Sequence, residues 1–195
     1  MVTVRDTDFS GRQDGFADKI FLERWSPRSF LPEGIPSDNL KKIFDAARWS
    51  PSCVNEQPWL FFTASRDSES FSDFLACLKE SNQLWAKNAG TIGFLVSRRF
   101  FKTKDRENQL ADFDCGASWM ALTIQARFLG YFTHGMGGIY REKVEKLLKL
   151  DGTKYNVIMG FALGKLAPKN LLPAELQEKE NPSSREMLEV IWKDL

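Results

Sequence analysis

Ser50-Pro-Ser-Cys-Val-Asn-Glu-Gln-Pro-Trp-Leu-Phe-Phe62 is the stretch on which the reading of this chain turns. On its N-terminal side Ser37 offers a cap, and Leu40, Ile43, Phe44 and Ala47 follow at i, i+3, i+4 and i+7, the spacing of an amphipathic helix that Pro51 stops. On its C-terminal side Trp59 to Ala64 is a short apolar run that predicts a buried strand. Ser52, Asn55 and Gln57 therefore fall in a short loop between helix and strand. Their amide and hydroxyl groups can read the edge of a heterocycle, because an amide both donates and accepts. The same residues also serve a plain turn, since Ser, Asn and Pro favour loops for local reasons.

Working outward, helices are expected from Phe16 to Arg24, through Phe71, Phe74, Leu75 and Leu78, and from Arg141 to Leu150 with Val144, Leu147 and Leu148 on one stripe. Ala117 to Leu129 differs, because Trp119, Met120, Leu122, Ile124, Ala126, Phe128 and Leu129 leave almost no polar face before Gly130 caps the end. That helix should be central and buried. Further buried strands are expected at Thr91 to Ser97 and Val157 to Leu163. The order of helices and strands lacks regular βαβ alternation and favours a layered α+β domain with a central mixed or antiparallel sheet. From Lys165 three prolines and few apolar residues precede Met187, Leu188, Val190, Ile191 and Trp192, which reads as an extended arm ending in an apolar hook. The hook either grips a second subunit or folds back on its own domain.

The 195 residues suit a single domain, 1–195, able to bury a core without disulfides. Lysine plus arginine number 27 against 26 acidic residues, a formal charge of +1 that gives no field for nucleic acid or an anionic membrane. Cys53, Cys77 and Cys115 are widely spaced and unpaired in pattern, which fits a reducing, cytoplasmic setting rather than a disulfide framework or zinc knuckle. His134 alone cannot supply a multi-histidine metal site, and a Ser-His-Asp triad would have to rest on it alone. The charged start MVTVRDTDFSGRQDG carries no signal-peptide core, and no apolar stretch is long enough to span a bilayer.

Two further segments carry candidate chemistry. In Arg24-Trp-Ser-Pro-Arg-Ser-Phe30, Arg24 and Arg28 bracket Ser26, and forked guanidiniums with a hydroxyl between them suit a phosphate or another planar anion as well as they suit a solvated surface. In Gly130-Tyr-Phe-Thr-His-Gly-Met-Gly-Gly-Ile139, Gly135, Gly137 and Gly138 let backbone approach a flat ligand, or simply form a turn after the apolar helix. Tyr140 stands where a dinucleotide fingerprint would need its third glycine.

In this order the segments resemble the nitroreductase family of FMN enzymes. Arg24, Ser26, Arg28 and Phe30 match the family's opening Arg-x-Ser-x-Arg-x-Phe type segment. Ser50, Pro51, Ser52, Asn55, Gln57, Pro58 and Trp59 match its Ser-Pro-Ser-x-x-Asn-x-Gln-Pro-Trp loop. Asp114, Gly116 and Ala117 resemble the start of its long helix, Ile158 to Gly164 its glycine-ended strand, and Arg185 the arginine of its tail. The resemblance implies Arg24, Trp25, Ser26 and Arg185 around an FMN phosphate and ribityl chain, and Arg28 at the pyrimidine edge, where it would stabilise the reduced flavin. It implies His134, Gly135, Gly137 and Gly138 beside flavin N5, and Pro51, Ser52, Cys53, Asn55 and Gln57 facing the ring from the neighbouring subunit of an intertwined homodimer with an exchanged C-terminal arm. Trp25, Cys53, Ser183 and Gly135 depart from residues common in the family at those positions.

The activity so implied needs no protein nucleophile. NADH or NADPH, as co-substrate, delivers hydride to flavin N5, and ping-pong transfer passes electrons to a nitroaromatic, quinone or similar acceptor. Two other functions compete: a flavin-dependent dehydrogenase of a specific metabolite, and a flavin-binding or interaction module without reductase activity. The sequence leaves open whether Asn82 and Trp85 cap the pocket.

Overall fold

The structure is a computed structural model that describes residues 7–12 and 15–194; Met1–Asp6 and Gln13–Asp14, part of the charged N-terminal stretch, lie outside the described residues. Four antiparallel strands form one sheet in the order β1-β2-β4-β3, with β1 at Trp59–Ser65, β2 at Thr91–Arg98, β3 at Phe132–Met136 and β4 at Tyr155–Gly164. β2 and β4 are central. Seven of the eight β2 residues are buried, which is why that strand reads as an unbroken apolar run rather than an alternation.

Two helical layers sandwich the sheet. On one face lie α2 (Ser37–Arg48) and α5 (Ala111–Phe128), packing Ile43, Ala47, Leu122 and Ala126 with Leu163. Phe161 projects to the same side, where Phe44, Phe61 and Trp119 surround it with ring centroids 5.4–6.4 Å away. Gly93 makes that placement possible: a Cβ there would lie 2.3 Å from Cζ of Phe161 and 2.7 Å from the Phe62 carbonyl. On the other face lie α3 (Phe71–Ala76), α4 (Glu80–Ala86) and α6 (Arg141–Leu148), which, with Leu78 between α3 and α4, bury Phe74, Trp85 and Val144 against Ile92, Phe94, Val96 and Ala162.

Four sequence expectations change. The helix expected from Phe16 to Arg24 contracts to one turn, α1 at Lys19–Leu22, and Phe16 stands 94% exposed. A single turn satisfies few of its own amides and needs outside packing to persist. The helix expected to begin at Ala117 starts six residues earlier, at Ala111, with Asp112 and Asp114 in its first turn, where acidic groups favour the positive end of the helix dipole. It is buried along one face only, through Cys115, Ser118, Leu122 and Ala126, while Phe113 (76%), Met120 (38%) and Phe128 (67%) face outward. Half of the glycine-rich segment, for which a turn is one reading, is strand β3, with Gly137 and Gly138 in the turn that follows it. Gly130, at φ +79°, ends the preceding helix in a left-handed conformation that costs glycine little.

The tail, after a short turn α7 (Ala174–Gln177), packs on its own chain as far as Glu180, which is fully buried. Beyond it, Met187, Val190, Ile191 and Trp192, in and around the short α8 (Leu188–Ile191), are 57–74% exposed. Of the two sequence readings for the hook, this chain alone therefore does not cover it.

Candidate functional site

After α1 the chain runs extended from Arg24 to Phe30, and burial alternates: Trp25, Pro27 and Ser29 point inward, while Arg24, Ser26 and Arg28 are half-exposed on the other side. Successive side chains of an extended segment leave from opposite faces, so the Arg-x-Ser-x-Arg spacing delivers both guanidiniums and the hydroxyl to one surface. Trp25 is 3% exposed, its ring edge-on to Phe132 at 6.3 Å, and it anchors the segment in the core.

The segment is held on every side. The Ser29 carbonyl accepts from the Ala167 amide at 3.0 Å, and its hydroxyl donates to the Pro168 carbonyl at 2.7 Å. The buried carboxylate of Glu180 accepts from the Arg28 amide at 3.0 Å and the Ser29 amide at 2.9 Å. His134, on β3, bonds the Pro27 carbonyl through Nδ1 at 2.9 Å, so Nδ1 carries the proton. Its ring packs on Trp85 at 4.6 Å. Burial, and secondarily the positive charges of Arg28 and Arg24, pull His134 down to about 4 against the hydrogen bonds that favour protonation, so the ring is neutral near pH 7.

Beside this segment the cations converge. Nη1 of Arg24 lies 3.3 Å from Oγ of Ser26. Burial and then repulsion from Arg185 hold the Arg24 guanidinium below its ordinary range, and burial, Arg185 and Arg24 do the same to Arg12. Among the described residues no carboxylate forms an ion pair with Arg12, Arg24, Arg28 or Arg185. Partly desolvated like charges without a counter-charge repel one another, and a phosphate, which accepts several charge-assisted bonds at once, relieves that repulsion. The donor set fits a phosphomonoester.

Beyond His134, Gly135 and Gly137 are exposed along β3 and the turn after it, and Gly138 is half-buried. The Gly138 carbonyl accepts from the Lys79 amide at 2.9 Å and from Asn82 Nδ2 at 3.0 Å. Asn82 therefore braces the glycine turn. Trp85, 1% exposed, belongs to the core and is no pocket cap.

The Ser50–Gln57 loop is built differently. Ser52 Oγ accepts from the Gln57 amide at 2.9 Å, Asn55 offers its carbonyl to Gln57 Nε2 at 3.0 Å, and Asp114 accepts from the Cys53 amide at 3.0 Å. Val54, Asn55 and Gln57 all have positive φ, 47°, 59° and 51°. For β-branched Val54 that conformation is strained, and strain of this kind concentrates at ligand-contacting loops. Pro51 and Asn55 are exposed, and Ser52, Cys53 and Gln57 half-buried.

One chain does not bring this loop to the arginines. The loop enters β1 at one edge of the sheet, and His134 lies on β3 at the other. The row His134, Ala162, Ile92, Ala64 crosses three strand spacings, about 14 Å, and Ala64 is five residues, about 17 Å, along β1 from Trp59. The sequence candidates thus separate into an arginine–histidine–glycine group at one end and a strained polar loop at the other.

Two residues of the site carry no sequence signal that singles them out. Glu180 is one acid in a run of charged residues, and Arg12 lies in a polar N-terminal stretch; only the folded chain places them against Arg28 and Arg24.

The match to the nitroreductase family model covers residues 22–165. The CLA biosynthesis enone reductase of Lactiplantibacillus plantarum is 29% identical over 188 residues, 78% of this chain and 86% of that protein. YdgI of Bacillus subtilis (strain 168), whose name as an NAD(P)H nitroreductase is provisional, is 25% identical over 185 residues, 76% of this chain and 88% of its own. A solved oxidoreductase structure containing FMN superposes with a TM-score of 0.91 at 38% identity, covering 97% of both chains. Extended arginine segment, strained polar loop, long helix and glycine-bearing edge strand occur here in one fold, and the chain belongs to the nitroreductase family.

Proposed function

We propose that the chain, as one domain over residues 1–195, binds FMN and acts as an FMN-dependent NAD(P)H oxidoreductase in a homodimer. The observation that carries the reading is the convergence of guanidiniums, which pair with no carboxylate among the described residues, beside Ser26 on a segment locked to the core. The 38% identical solved structure that contains FMN supports it.

FMN, when bound, would supply the hydride-transfer chemistry that links NADH or NADPH to a second substrate. Arg24, Ser26 and Arg185 would hold the phosphate, with Trp25 anchoring the backbone of Arg24 and Ser26. Arg28 would hold the pyrimidine edge, where a cation in a partly desolvated site favours negative charge on the ring. His134, neutral, adds no competing charge, and Gly135, Gly137 and Gly138 leave the approach to the ring unobstructed. The partner copy supplies Pro51, Ser52, Cys53, Asn55 and Gln57, because this chain's own loop lies too far from its own arginines. The outward face of α5 and the apolar hook, both uncovered, supply the surface for that partner, and burying such residues contributes about 1.5–3 kcal/mol each.

With one site to serve both, donor and acceptor would bind in turn, which gives ping-pong kinetics. Flat, electron-poor acceptors fit: nitroaromatics, quinones, and conjugated enones, the class named for the L. plantarum relative. Three free thiols suit a reducing cytoplasm, and among the described residues no helix is long and apolar enough to cross a membrane.

Purified full-length protein should be yellow, release FMN on denaturation, and bleach anaerobically when NADH or NADPH is added. Colourless protein that takes up no added FMN would refute the proposal.

A further inference from the structure

We infer that Arg12, from the N-terminal segment, is a third phosphate-binding cation of this site and part of what makes it select a phosphorylated flavin over the unphosphorylated one. The inference rests on the FMN reading above and deepens it.

Arg12 ends a short 3-10 turn at Ser10–Arg12 and reaches two separate parts of the site. Its Nη1 donates to the carbonyls of Leu22 at 2.8 Å and Arg24 at 2.7 Å, and its Nε donates to the Ser183 carbonyl at 2.9 Å. Arg185 Nη1 donates to the same Ser183 oxygen at 3.2 Å. Two guanidiniums thus meet on one acceptor, no further apart than those two hydrogen bonds laid end to end. Arg24 stands beside them, its own carbonyl bonded to Arg12.

Every described partner of Arg12 is a neutral carbonyl. Its Nε and Nη1 protons are used in holding the N-terminal turn, the end of α1 and the tail together, while Nη2 bonds no described protein group. A fork with one nitrogen free, fixed next to Arg24 and Arg185, is preorganised to donate to an anion. Burial and the two neighbouring arginines depress its proton affinity, as expected of a charge assembled ahead of its counter-ion. A brace alone would not need to place a third positive charge between two others, because a neutral donor would serve the same carbonyls at less cost.

Flavin-free full-length protein, titrated with FMN and with riboflavin by flavin fluorescence, separates the outcomes. In Arg12→Gln, FMN affinity should fall about tenfold or more, the range of one charge-assisted contact, and riboflavin affinity should stay within about twofold. The ionic-strength dependence of FMN binding should flatten, and Arg12→Lys, which keeps the charge, should lose less than Arg12→Gln. Equal losses for both flavins in a variant with lowered thermal stability would make Arg12 a brace only and overturn the inference. So would unchanged affinity for both. Wild-type protein that does not prefer FMN to riboflavin would instead sink the phosphate site itself, and the role of Arg12 with it.

Discussion

Removing the Glu180 carboxylate should loosen the arginine segment from a distance of some 150 residues in sequence. The side chain is fully buried, with Oε1 and Oε2 both 3.0 Å from the Arg28 amide and Oε1 2.9 Å from the Ser29 amide. Glu180→Ala orphans two buried N–H donors. Hydrogen bonds to a charged group contribute about 1.5–3 kcal/mol each, so the loss is about 3–6 kcal/mol. For a chain of this size that lowers Tm by roughly 10 °C. Glu180→Gln keeps one acceptor oxygen but turns an NH2 toward an N–H, and should lose about half as much. Urea unfolding gives the free energies, and amide hydrogen exchange at Arg28 and Ser29 shows where the loosening occurs. FMN affinity should fall with it, because Arg28 sits on the released backbone. A Glu180→Ala variant within about 1 kcal/mol of wild type, or with Arg28 and Ser29 still protected, would show that the carboxylate does not hold the segment.

Two further outcomes are expected. His134 ionises near 4 when folded against about 6.5 when unfolded, so its neutral form favours the fold; stability is level above pH 6.5 and falls below it, by about 3 kcal/mol at pH 4. His134→Asn should flatten the urea midpoint across that window relative to wild type, and parallel profiles would exclude a buried neutral imidazole. Phe113, 76% exposed on the outward face of α5, should be covered by the partner, so Phe113→Glu should shift light scattering from dimer toward the 22.3 kDa monomer and release flavin. A variant that remains dimeric places the interface elsewhere.

Much of the fold was legible locally. β1, β2 and β4 carry their burial in their own composition, and the Ser37–Arg48 helix shows its stripe and its stop, whereas Ser37, expected as its cap, is its first helical residue, with Pro36 at the cap position and no side-chain cap bond. β3 was not legible, because a short run holding a glycine and a histidine makes a poor strand in isolation; it exists through five pairs with β4, whose residues lie more than twenty positions further on. α4, polar along much of its length, forms around Trp85, whose burial depends on Phe30 and His134 arriving from elsewhere. The outward apolar face of α5 looked like core because hydrophobicity does not say which surface will cover it, and two helical layers and one sheet leave that face open.

The sequence by itself determined the local placement of the candidate groups. Arg24, Ser26 and Arg28 share a face through the two-residue period of extended chain, and the polar Ser50–Gln57 loop is pinned between a helix and a strand. Only the tertiary structure decided how they are grouped: it drew in Arg12 and Glu180 from opposite ends of the chain and put the polar loop at the far edge of the sheet from the arginines. The reason is physical. Local spacing fixes the direction a side chain takes from its own backbone, whereas the convergence of charges from distant segments depends on how sheet, helices and tail pack together.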